Sequence, residues 1–271
     1  MSDSIQWDEK QVDAIARDLA YMRLQVDLEL VPQYPVFLDK AYPLGRCKEI
    51  RDTVFAKLQT QLLQPTSEGI ALIRDALEKG AVLKKIWGEL RGVYFQNAMT
   101  LGDWYLDVSN DTVNPNKPRV EVLPLAESGF SHIISFEQFV KVARVYWGVE
   151  VYRNDVCPAL APFLPLLYVR KDGVSWVGEA NDDMLLMTMG CEFRSAESIL
   201  SALPSPPKAL LQKWRTVLAS VSKNEFLHGQ GDAIEYCKQY RGYQFHVGTN
   251  VRDRAVMAYL TLPREIAYAQ K

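Results

Sequence analysis

The chain is poor in histidine. Only His132, His228 and His246 occur among its 271 residues, so chemistry that needs an imidazole base has three positions to draw on. Its four cysteines, Cys47, Cys157, Cys191 and Cys237, show no CxxC spacing, which argues against a zinc ribbon or a dense disulfide framework. They read as free thiols of a reducing compartment. An excess of one charge is lacking too: 31 basic against 33 acidic residues leave a net charge of -2. A dedicated nucleic-acid binder needs a basic surface for phosphate, so nucleic acid is not an expected partner. The longest apolar runs, such as 158–169 with its three prolines, fall short of the ~20 residues of a membrane span. The start of the chain, 1–7, carries an acid where a signal peptide has a basic region, so a cytoplasmic protein with no membrane partner is expected.

What is present is core-forming material. Apolar residues make up 48% of the chain and aromatics 11%, six of them tryptophan, which supports a packed core and argues against disorder. Asp8 followed three residues later by Gln11 has the pattern of a capping box, and Val12, Ile15, Leu19, Met22 and Val26 recur at helical spacing, predicting a helix over 8–30. A second helix is predicted over 47–63, with Cys47, Ile50, Val54 and Leu58 on one face. A third restarts at 65–67 and stops at Gly80. Then the period changes. Residues 90–99 and 104–108 read as two strands of a hairpin around Leu101-Gly102-Asp103, followed by a turn-rich stretch at 110–118 and a strand at 119–123.

Further on, 135–147 reads as a helix capped by Ser135, 149–152 as a strand, and 166–170 with 175–177 as a hairpin. The apolar run 184–189 fits helix or strand, helices are predicted at 195–203, 208–221 and 232–240, and strands at 244–247 and 255–262. The pattern predicts an α+β protein, with helices packed around a mainly antiparallel sheet. The proline-rich stretch at 203–207 marks a soft boundary between a main domain, 1–203, and a C-terminal portion, 204–271, packed on the same body.

The sharpest chemical feature is Tyr42-Pro43-Leu44-Gly45-Arg46-Cys47, leading directly into a helix. A cysteine at a helix N-terminus faces the positive end of the helix dipole, which favours thiolate. Downstream comes the hairpin, whose second strand ends in Trp104-Tyr105-Leu106-Asp107. This order resembles the transglutaminase-like branch of the papain-like cysteine fold, over 42–112, about a quarter of the chain. The resemblance implies a cysteine hydrolase or acyltransferase acting on an amide or acyl bond of a protein or small molecule, with no required cofactor. Cys47 would be the nucleophile and Asp107 the acid that orients a histidine base. The strand where the family carries that histidine reads Arg91-Gly92-Val93-Tyr94-Phe95-Gln96-Asn97-Ala98 and has none. The base then comes from elsewhere, with His246 the candidate, or the scaffold is kept by a non-catalytic binding or interaction protein. Core packing of Cys47 is the alternative reading of that thiol.

Other clusters read as structure. The oxygen-rich Asp107-Val108-Ser109-Asn110-Asp111 with Asn114 and Asn116 lacks the glycine and closing glutamate of an EF-hand and reads as a hydrogen-bonded turn. Glu179-Ala180-Asn181-Asp182-Asp183 reads as a solvated loop, and His228-Gly229-Gln230-Gly231-Asp232 as a turn leading into a helix. The aromatic and basic residues interleaved over 236–246 fit inward packing better than single-strand nucleic-acid binding.

Overall fold

Asp8 opens the first helix, α1 (Glu9–Leu30), with a complete capping box: its carboxylate accepts from Gln11 N–H while the Gln11 side chain accepts from Asp8 N–H. In the computed structural model residues 5–37, 40–178 and 182–267 are described. The chain divides into two compact units, residues 1–133 and 134–271. The boundary expected near Pro204 falls inside the second unit, where the Pro204 carbonyl accepts from Arg153 N–H.

In the first unit α1 is followed by a short ribbon, β1 (Val36–Phe37) with β2 (Lys40–Ala41), then α2 (Cys47–Gln61) and α3 (Glu68–Glu78). The strands are β3 (Leu83–Leu90), β4 (Tyr94–Leu101), β5 (Trp104–Asp107) and β6 (Glu121–Pro124); after the short α4 (Leu125–Ser128) comes β7 (Phe130–Ser131). They form one antiparallel sheet in the order β6-β5-β4-β3-β7. The helices bury their apolar stripes against it. Ile15, Leu19, Met22 and Val26 of α1, Ile50, Val54 and Leu58 of α2, and Ile70 and Ile73 of α3 form one core with Met99, Leu101, Leu106 and Val108. The stripe predicted for α2 is observed, except that Cys47 at its head is only half-buried.

Two contacts set the approach of α3 to α1. A Cβ on Gly69 would fall 2.4 Å from the Ala14 carbonyl oxygen, so only glycine permits the packing. The Gly69 amide donates to Asp18 of α1 at 2.7 Å, which satisfies one of the open donors in the first turn of α3.

The hairpin is longer than its sequence suggested. The expected strand over 90–99 is broken at Arg91 and Gly92, both at positive φ, and Leu83–Leu90 pairs with Tyr94–Leu101 along its whole length. Lys84 and Lys85 interrupt the alternation of β3 and hide it. The β4–β5 turn at Gly102 and Asp103 is as predicted, with Gly102 at φ +57°.

In the second unit α5 (Phe136–Tyr146), capped by Ser135, precedes β8 (Val149–Arg153), β9 (Leu166–Arg170) and β10 (Val174–Val177). Then come α6 (Asp182–Gly190), α7 (Arg194–Ala202), α8 (Lys208–Leu218), α9 (Glu225–His228), α10 (Ala233–Gly242), α11 (Asn250–Leu260) and β11 (Ile266–Ala267). The antiparallel sheet runs β11-β10-β9-β8. The ambiguous run 184–189 is helical. Two expected strands are corrected. Residues 244–247 are turns, with Gln244 and Gly248 at positive φ. Residues 255–260 belong to α11, which buries Ala255 and Ala258, three apart on one helical face. The α+β class stands, with antiparallel sheets in both units.

Candidate functional site

The turn 42–46 delivers Cys47 to the start of α2. Gly45 sits at φ +75° against the Phe37 ring, and its amide donates to the Thr112 carbonyl at 3.0 Å. Arg46 lies over both Tyr34 and Phe37, 4.9 Å from each ring centre, and pairs with Glu49. The loop before the cysteine is thus tied to the ribbon on one side and to the segment after β5 on the other.

Among the described residues the hydrogen-bond partner of the Cys47 thiol is Asn97 of β4, whose Nδ2 donates to Sγ at 3.3 Å. Asn97 was part of the strand noted above for its missing histidine; its place beside the sulfur could be read only after β4 was aligned. Burial pushes the Cys47 thiol above its ordinary value. Hydrogen bonds from the Asn97 side chain and backbone act the other way, and the negative charges of Asp107 and Glu49 raise it further. A catalytic triad places a cation beside the thiolate. Here the formal charges of Asp107 and Glu49 that act on the thiol are negative and add to the larger effect of burial.

Asp107 is fully buried at the end of β5. Its Oδ2 accepts from Gln96 Nε2 at 2.6 Å and from the Tyr105 hydroxyl at 3.1 Å; its Oδ1 accepts from Ser109 N–H at 2.8 Å and lies 3.1 Å from Ser109 Oγ. Burial raises the carboxyl to about 6, against the lowering effect of these donors. The same burial, with the adjacent Asp107 charge, holds the Tyr105 hydroxyl protonated.

The predicted base lies in a different setting. Cys47 and Asp107 share the first unit, whereas His246 belongs to the second. It stands in the turns after α10, not on a strand, with its ring edge-on to Phe193 and a buried Nδ1 that has no hydrogen-bond partner among the described residues. His132, the histidine of the first unit, is exposed and packs edge-on against Phe130. His228 is used locally: Nδ1 accepts from Asn224 N–H and Nε2 faces the Leu218 carbonyl at 3.0 Å.

The oxygen-rich stretch after Asp107 is consumed by structure. Asp111 takes two hydrogen bonds from Arg23, a fully buried arginine of α1 that also binds the Val108 carbonyl and Asp27. Asn110 holds the Pro118 carbonyl. Among the described residues no group of three or more His, Cys, Asp or Glu is placed to hold a metal ion, and no helix is long and apolar enough to cross a membrane. Of the acidic cluster 179–183, Glu179, Ala180 and Asn181 lie outside the described residues. In the 236–246 stretch Tyr240 is buried with its hydroxyl on the Ala159 carbonyl, Phe245 packs on Tyr240, and Lys238 and Arg241 pair with Glu235 and Glu197. No protein-family model matches the chain, and neither does any curated protein or solved structure.

Proposed function

We propose that this chain is a non-catalytic binding or interaction protein, whose first unit keeps the cysteine, helix and hairpin order of a transglutaminase-like fold without its chemistry. The observation that carries this reading is the contact between Asn97 Nδ2 and Cys47 Sγ at 3.3 Å. A carboxamide has no titratable nitrogen. It can neither take the thiol proton as sulfur attacks a carbonyl nor return one to a leaving amine, the two tasks of the base in acyl transfer. Two further observations support the reading. Asp107 is committed to Gln96, Tyr105 and Ser109, and its charge opposes formation of the thiolate.

Hydrolysis of an activated acyl ester and of a glutaminyl-peptide carboxamide by the full chain tests the proposal. Wild type and Cys47→Ala are expected to give the same rate, indistinguishable from buffer. A Cys47-dependent rate, tenfold or more above that of the alanine variant, would return the chain to the acyl-transfer enzymes.

A further inference from the structure

The hydrogen-bond inventory around Asp107 does not close. The Ser109 hydroxyl carries one proton and has two acceptors within reach, Asp107 Oδ1 at 3.1 Å and the Asn97 carbonyl at 3.0 Å, so one of these short contacts has no hydrogen in it. Gln96 donates through Nε2 to Asp107 Oδ2 and to the Ser109 carbonyl, yet its own Oε1 is buried with no partner among the described residues. A fully buried cluster with a surplus of acceptors is costly, because unpaired polar atoms lose water without replacement.

We propose that Asp107, Ser109 and Gln96 form a proton-binding switch: the cluster is one proton short, and uptake of that proton by Asp107 fastens the 107–112 segment to β4. A proton on Oδ1 is donated to Ser109 Oγ, which frees the Ser109 hydroxyl to donate to the Asn97 carbonyl. Both contacts become hydrogen bonds and no donor is lost. On this route Gln96 keeps both of its Nε2 donations, to Asp107 Oδ2 and to the Ser109 carbonyl. The effect passes beyond the cluster through Thr112, whose hydroxyl binds the Ser109 carbonyl and whose own carbonyl holds Gly45 in the turn before Cys47.

The titratable and charged groups around Asp107 come from four strands and helices. They are Cys47 on α2, Glu121, its cross-strand partner on β6, which is paired with Arg91, and Tyr105 on β5, which itself interacts with Tyr94 on β4. Arg23 and Asp111 stand as an ion pair on the carbonyl of Val108. None of the hydrogen-bond donors to Asp107 is a cation, which is why burial wins and the carboxyl rises to about 6. An acid raised in the folded state binds its proton more tightly there than in the unfolded chain. Its contribution to stability is therefore fully present below the ordinary value near 4 and is lost as pH rises through about 6.

A carbon-13 titration of the aspartate carboxyls in the full chain, with Asp107 assigned by its disappearance in Asp107→Asn, tests the proposal. The Asp107 resonance is expected to titrate near pH 6. Amide exchange of Ser109, corrected for intrinsic rate, is expected to slow about tenfold from pH 8 to pH 5, and to lose that dependence in Asp107→Asn. An Asp107 midpoint at or below pH 4.5, or the same exchange profile in both proteins, overturns the switch. If the variant does not fold, the Asp107 carboxyl is assigned instead by through-bond correlation to its own backbone amide, and the wild-type titration decides alone.

Discussion

Replacing Arg23 with alanine is expected to remove about 3–5 kcal/mol of stability from the first unit, the cost typical of breaking a buried ion pair from one side. The size follows from its surroundings. Arg23 is fully buried and holds Asp111 through two nitrogens, the Val108 carbonyl, and Asp27 at 2.6 Å. Burial works against its charge, but the hydrogen bonds and charges of Asp111 and Asp27 outweigh it and raise the guanidinium pKa. Without the arginine Asp111, itself 5% exposed, becomes a buried carboxylate with no cation, whereas Asp27 keeps Arg119 and Tyr42. The network joins α1 to the segment that follows β5, so the loss is structural as well as local. Urea unfolding followed by far-ultraviolet circular dichroism measures it. A loss under about 1 kcal/mol, the level of an exposed pair, would show that the network contributes little.

Replacing Trp214 with alanine is expected to cost the second unit about 3–5 kcal/mol. Trp214 is the largest fully buried side chain among the described residues, and its indole N–H donates to Ser175 Oγ at 3.1 Å. That hydroxyl faces the Ile266 carbonyl, so one residue of α8 engages β10 and, through it, β11. Alanine leaves a cavity in a close-packed interior and withdraws a buried donor. Trp214→Phe, which keeps much of the bulk, is expected to cost less. Guanidinium unfolding monitored in the variants and wild type checks the order; equal midpoints for wild type and the alanine variant would contradict the packing role.

Neither of these residues stood out in the sequence, and the reason is physical. An arginine inside an amphipathic helix has the pattern of a solvated position, and only the fold shows that Asp111, 88 residues on, lies against it. Local signals were legible where local chemistry decides. The Asp8–Gln11 capping box, the Ser135 cap, the glycine turn at Gly102 and the helix beginning at Cys47 all appear as read. Signals failed where pairing decides. β3 carries Lys84 and Lys85 and is defined by its partner β4, and α11 has a strand-like sequence because Val251, Val256 and Tyr259 favour strands in isolation. The unit boundary at residues 133 and 134 carries no proline or glycine, so composition gave no hint of it.

The site was half legible. Cys47 at a helix start and Asp107 late in the hairpin were visible as residues in order, and the missing histidine was visible as an absence. That Asn97 occupies the place beside the sulfur needed the register of β4, and the surplus of acceptors around Asp107 needed distances.

The pH dependence of Cys47 alkylation by iodoacetamide, read by mass spectrometry of the folded chain, tests the central claim most directly. A thiol raised by burial and by the charges of Asp107 and Glu49 gives a rate that stays low through neutral pH and a midpoint above the ordinary ~8.5. A midpoint below about 7, the mark of an activated thiolate, would contradict the non-catalytic reading.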